Sequence, residues 1–236
     1  MSTTTNFFLL AGAFSLLFLI AEVLHRKFGV SAESTRKLVH VGTGLLTLLF
    51  PLLLQSTIAV GLLCGSFLLL LLASMRFGLL PSINAIRRKS WGSLLYPVIV
   101  FIVYAYYEQF ASADTGLFNP LYYFYTPILV MAVCDPVAAL AGNSFRRRYP
   151  QTAHGKTLAG SFSFFFASSL LVIGLSAYFN ISTMPSNVLL VIGIVIGFIS
   201  ALAERFSTGG WDNFTIPLSV LAGMYIMEMG LINFAG

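Results

Sequence analysis

Charged side chains are what this chain has least of. Only 9% of its 236 residues are Asp, Glu, Lys or Arg, against roughly 25% in a soluble domain, and 58% are apolar. That shortage excludes a water-soluble globule, which needs polar residues to cover its core. Cysteine is nearly missing as well. Cys64 and Cys134 both sit in apolar runs without the paired spacing of a metal site, so both read as packing residues. The first apolar run has no Lys or Arg before it and no small-residue cleavage site after it, and is expected to stay as a span. Short alternating segments, the mark of a membrane β-barrel, are absent. So are internal repeats, low-complexity tracts and any stretch polar enough for an extra soluble domain. Residues 1–236 are expected to form a single membrane-embedded domain.

What the chain does have is apolar length. Continuous runs lie near 7–24, 38–54, 57–75, 93–110, 121–142, 158–179, 187–203 and 214–233. A helix needs ~20 such residues to cross a bilayer. The expected fold is all-α, a polytopic integral membrane helical bundle of about seven to eight transmembrane helices. The 13 Lys and Arg residues all fall in alternate loops. Arg26, Lys27, Arg36 and Lys37 follow the first span, and Arg76, Arg87, Arg88 and Lys89 the third. Arg146, Arg147, Arg148 and Lys156 follow the fifth, and Arg205 the seventh. The positive-inside rule puts those loops in the cytoplasm and both termini outside. The net charge of +5 is therefore a topology signal and a possible polyphosphate site. No soluble basic face exists to make nucleic acid a partner.

The polar residues worth a function lie on that same side. Asp135-Pro136 reads as a helix start inside an apolar run, so the fifth span is expected to break there. Irregular backbone at membrane depth is tolerated where it lines a cavity. Asp135, Ala139 and Gly142 would share a face, with Asn143 beside them. An Asp in such a place can hold Mg²⁺, which prefers oxygen ligands. Arg146, Arg147 and Arg148 follow, and His154-Gly155-Lys156-Thr157 opens the sixth span. Arg pairs bidentately with phosphate, Lys adds a point charge, and the N–H groups of the next helix add an anion site. Gly155-Lys156-Thr157 is not a Walker loop, because Pro150 stands where that motif needs its first Gly. Glu204 and Asp212 flank a Gly209-Gly210 turn and are expected to complete a metal site with Asp135; Asp212 also fits a plain helix cap. Arg36 and His40 share a face at the start of the second span, where His40 fits a base or a phosphate contact, or a hydrogen-bonded interfacial residue. Glu22 is placed to pair with His25 or Arg26, and Glu228 is expected to reach water at the far end.

Four stretches then carry a resemblance: RKLVHVGTG at 36–44, DPVAALAGN at 135–143, HGKTLAGS at 154–161, and Glu204 followed by GGWDNFTIPL at 209–218. In this order they resemble the phytol, farnesol and dolichol kinases, polytopic enzymes that phosphorylate isoprenoid alcohols, generally with CTP. The wider group is similar to phosphatidate cytidylyltransferases and includes a CTP-dependent diacylglycerol kinase. The resemblance implies a nucleotide and metal site containing Asp135, Asn143, Lys156 and Thr157, joined by Glu204, Asp212 and Asn213 and by Arg36, Lys37 and His40. Cytidylyltransferases end on a Lys-Asp pair and a His-Gly-Gly signature; here the region reads RFSTGGWDN, which favours the alcohol-kinase branch.

The expected reaction is transfer of the γ-phosphoryl of CTP to an alcohol dissolved in the bilayer. Mg²⁺ would sit on Asp135 with Glu204 or Asp212, on the cytoplasmic face. Lys156 and Arg146–Arg148 would take the remaining charge, and His40 or a carboxylate the hydroxyl proton. The rivals are a cytidylyltransferase making CDP-diacylglycerol and, outside catalysis, a transporter, which also builds sites from broken helices.

Overall fold

The computed structural model describes residues 2–85, 90–113, 118–144, 156–180 and 184–235. In chain order the helices are α1 Thr3–Phe28, α2 Ala32–Thr47, α3 Phe50–Leu53, α4 Thr57–Phe77, α5 Pro81–Asn84, α6 Gly92–Ala113, α7 Leu121–Leu129, α8 Asp135–Ser144, α9 Leu158–Tyr178, α10 Ser186–Phe206 and α11 Asp212–Ala235. No strand forms among the described residues. Among the described residues eight helical spans are long and apolar enough to cross a membrane, with α2 and α3 making one of them and α7 with α8 another. The chain is a multi-pass membrane bundle. Hydroxyl side chains mark several starts. Ser2, Ser31, Ser56 and Thr157 each accept a backbone N–H from the first turn of the helix they precede.

The fifth span departs from expectation. It does not break at Asp135. Val130–Cys134 form a π-helical segment joining α7 to α8, and Asp135 is itself helical, with φ −64° and ψ −48°. Pro136 explains the form. Its ring crowds the carbonyl four residues back and it brings no N–H, and one widened turn relieves both without ending the helix. In that widened register the Met131 carbonyl would look to Pro136, which cannot donate. His40 supplies the missing donor, its Nε2 lying 3.1 Å from Met131 O.

Small residues let the C-terminal helices close up. On α10, Gly193 and Gly197 lie against α9, and a Cβ on Gly197 would stand 2.2 Å from Ser169 Oγ and 2.9 Å from Ser169 N. This is the small-xxx-small spacing that membrane helices use to approach. Gly197→Val is expected to lower stability by about 2 kcal/mol, because the backbone of α9 cannot yield as a flexible side chain would. Thermal unfolding of the purified protein in detergent would show it, with Gly174→Val, which meets open space, as the control.

The interior is aromatic, with Tyr104, Tyr122, Tyr123 and Phe124 nearly fully buried where α6, α7 and α11 meet. Glu228 was expected to reach water. It is 5% exposed and accepts the Tyr123 hydroxyl at 2.6 Å, since α11 packs that carboxylate against α7. Glu22 pairs with Arg26 and also accepts the Ser82 N–H, while His25 turns to the Val30 carbonyl.

Candidate active site

The polar centre is assembled at one end of the bundle by three helix termini. Lys156 directly precedes α9, and Thr157 caps that helix by accepting the Gly160 N–H at 3.1 Å. The cap fixes where α9 starts and so aims the lysine. Glu204 lies in the last turn of α10. Asp212 opens α11 after a turn in which Gly209 and Gly210 have φ of +60° and +88°, a left-handed pair that suits glycine. That hairpin returns Asp212 toward Glu204. Lys156 Nζ is 2.8 Å from Glu204 Oε1 and 3.5 Å from Asp212 Oδ2, and it also donates to the Glu204 carbonyl. Ser161, one turn into α9, donates to Glu204 Oε2 at 3.4 Å, and Arg205 donates to Ser161 at 3.3 Å. Glu204 is therefore gripped on both oxygens and buried. Asp212 is the looser carboxylate, its side chain 22% exposed and its Oδ1 accepting the Asn213 N–H.

A second group of side chains meets the same hairpin. The Trp91 N–H donates to Gly209 O at 2.8 Å, and the Asn213 amide donates to Gly92 O at 2.9 Å. Arg36, early in α2, donates to Ser90 Oγ at 2.6 Å. A Cβ on Gly92 would come within 2.8 Å of both Arg36 Nη2 and Asn213 Nδ2, so the glycine makes room for the two side chains to converge. One turn further along α2, His40 bonds Met131 as above. Because a carbonyl only accepts, Nε2 carries the proton, which leaves Nδ1 as the acceptor of the neutral ring. Tyr96 holds the ring edge-on at 5.2 Å and donates to the His40 carbonyl.

The structure thus brings Lys156, Glu204 and Asp212 together, and sets Arg36, Asn213 and His40 against the same hairpin and the helices beside it. Asp135 is half-buried at the start of α8, which packs on α9 through Gly142 and Gly160. Among the described residues no three of His, Cys, Asp and Glu gather as a metal-binding group, so the expected trio of Asp135, Glu204 and Asp212 does not form one cluster here. Lys37 is half-buried and Asn143 exposed, and neither bonds a partner among the described residues. Arg146, Arg147, Arg148, His154 and Gly155 lie outside the described residues. Three contributors escaped sequence reasoning: Ser90, Ser161 and Tyr96. Ser161 had a signal, since it stands one helical turn past Thr157 on the helix that Lys156 introduces.

Two helices, α9 and α11, point their N-termini at this end, where the helix dipole favours an anion. With Lys156, Arg205 and Arg36 nearby, the arrangement suits a phosphorylated ligand presented to the face of the bundle. The two carboxylates could share a hard cation with it.

No family model matches the chain, and no solved structure does. Across nearly its whole length, however, the chain is 33% identical to the phytol kinase of Synechocystis sp., over 215 residues that cover 88% of this chain and 87% of that protein. That identity over nearly the whole chain places it in the polyprenol and phytol kinase family.

Proposed function

We propose that the protein is a CTP-dependent kinase that moves the γ-phosphoryl group to an isoprenoid alcohol of the membrane, on the cytoplasmic face. The observation that carries this reading is the Lys156, Glu204 and Asp212 cluster beside Arg36, His40 and Asn213, at the mouth of an apolar cavity. A phosphate site and a hydrocarbon site then share one border, as a lipid kinase requires. The relative's alcohol, phytol, puts that substrate class first.

Phosphoryl transfer asks chiefly for in-line positioning and charge neutralisation. Lys156 and Arg36 would hold phosphate oxygens. The alcohol oxygen attacks the γ-phosphorus, the bond to the bridging oxygen breaks, and CDP leaves. The hydroxyl proton passes to His40 Nδ1 or to a carboxylate. Glu204 and Asp212 fit Mg²⁺, which often binds through one or two carboxylates plus the phosphates rather than in an all-protein cage, with Asp135 a further oxygen donor. Bound there, the metal would neutralise charge on the phosphates.

The test is purified protein in detergent with Mg²⁺ and CTP labelled separately at the α- and γ-phosphates. The panel holds phytol, farnesol, a polyprenol, diacylglycerol and phosphatidate. Label from the γ position in an isoprenoid alcohol is the expected result. Label from the α position in phosphatidate would make the protein a cytidylyltransferase, and γ label in diacylglycerol alone would move the substrate class.

A further inference from the structure

A single face of α2 points to where the alcohol's tail lies and how long it can be. Arg36, Val39, His40, Thr43 and Thr47 follow at helical spacing and line one cavity together with Phe50 of α3, and α1, α4, α6, Ile83 of α5 and Asn213 of α11 complete it. Its unfilled space, counted together with the solvent at its open mouth, is about 670 Å³. Its charged and amide groups are confined to one end, where Arg36, His40 and Asn213 meet the phosphate cluster. The Thr43 hydroxyl, one turn beyond His40, is buried and bonds nothing among the described residues.

The other end is aromatic. Phe14 and Phe50 are 4% and 2% exposed, with rings 5.9 Å apart, and Phe67 packs on Phe14 at 5.3 Å. From Arg36 to Thr47 the α2 wall rises ~17 Å at ~1.5 Å per residue, with Phe50 of α3 just beyond it. The α4 wall, Leu71 to Leu63, rises ~12 Å by the same measure. Both fall short of the ~30 Å hydrocarbon core. The cavity therefore begins at the phosphate site and ends inside the bilayer. It has room for a finite chain and not for one that must run on through the membrane.

We propose that this cavity holds the tail of one acyclic isoprenoid alcohol, hydroxyl toward His40 and Thr43, and that Phe14, Phe50 and Phe67 set the longest tail accepted. The proposal rests on the kinase reading. It predicts a short isoprenoid alcohol over a long polyprenol as substrate.

The experiment measures kcat/KM of the full chain on alcohols that lengthen by one isoprene unit, from geraniol to a long polyprenol. The wild type is expected to show a sharp upper limit. Phe50→Ala should raise that limit by at least one isoprene unit. Thr47→Phe, which fills the passage above the aromatic floor, should cut kcat/KM on the longest accepted alcohol at least ~tenfold relative to the shortest, as small steric differences in apolar pockets do. A length profile unchanged in Thr47→Phe, or in folded Phe50→Ala, would overturn the gauge. A second readout separates this from the kinase reading. A farnesol analogue with a photoreactive group at the tail end should label peptides of α1, α2 or α4 at the aromatic end, whether or not phosphate is transferred. Labelling only of lipid-facing positions such as Phe162 and Phe166 would refute occupancy of the cavity; absence of transfer to any alcohol, with the cavity labelled, would refute the kinase alone.

Discussion

Lys156→Met is expected to lower kcat by about 10²–10³-fold, the range seen when one preorganised donor to a reacting oxyanion is removed. It should also destabilise the protein. Lys156 Nζ is the ion-pair partner of Glu204, whose side chain is 7% exposed, so methionine leaves a buried carboxylate with only the Ser161 hydroxyl on its side chain. Breaking a buried pair costs ~3–5 kcal/mol, and with the lysine side chain itself 19% exposed a value of about 2 kcal/mol is the better expectation. The two effects can be parted. Lys156→Met with Glu204→Gln removes both charges, and it should recover most of the unfolding temperature in detergent while turnover stays low. If turnover recovered along with stability, Lys156 would be a structural counter-ion to Glu204 and not a phosphate ligand. If the single variant kept full turnover, the cluster would not be the active site.

That pairing also marks where sequence reading stopped. The eight spans were legible because lipid demands uninterrupted apolar length, and the start of α9 was legible at residues 154–157, whereas the capping hydroxyls of Ser2, Ser31 and Ser56 passed unread. The residues of the cluster were legible as well, since a carboxylate at the end of an apolar run has no ordinary reason to be there. Their partners were not. Lys156 and Glu204 are 48 residues apart, and Tyr123 and Glu228 are 105 apart, so only the packing of α9 on α10 and of α7 on α11 decides that they meet. The π segment was hidden for a different reason. Asp-Pro satisfies the rule for a helix start, but a span has few backbone partners to spare in the bilayer, so the chain keeps its helix and widens one turn. The cavity was the least visible feature. In a soluble helix an apolar stripe stands out against polar neighbours; in a membrane span Phe14 and Phe50 look the same as the lipid-facing Phe162.

Asp212→Asn carries the second large effect, of a different kind. Asp212 is the exposed member of the cluster, its Oδ2 3.5 Å from Lys156 and its Oδ1 bonded to a neighbouring N–H at the first turn of α11. Asparagine keeps the shape and can still accept the Asn213 N–H, and it removes one negative charge. The helix-terminal charge is worth only ~0.5 kcal/mol, so the unfolding temperature should move little. Turnover should fall about 100-fold, the scale on which a single preorganised electrostatic contact acts in the transition state. The Mg²⁺ concentration for half-maximal rate should rise with it, because a site built from one or two carboxylates and the nucleotide's phosphates has just lost one of its hard oxygen anions. Asp135→Asn serves as the comparison. A matched rise in both variants would put both carboxylates on one cation, joined through the phosphates. A rise in Asp212→Asn alone would leave Asp135 outside the metal site, in keeping with its place on α8. An unchanged Mg²⁺ dependence in Asp212→Asn, with the fold intact, would remove the α10–α11 hairpin from the metal site and leave Glu204 and Asp212 as counter-ions that position Lys156.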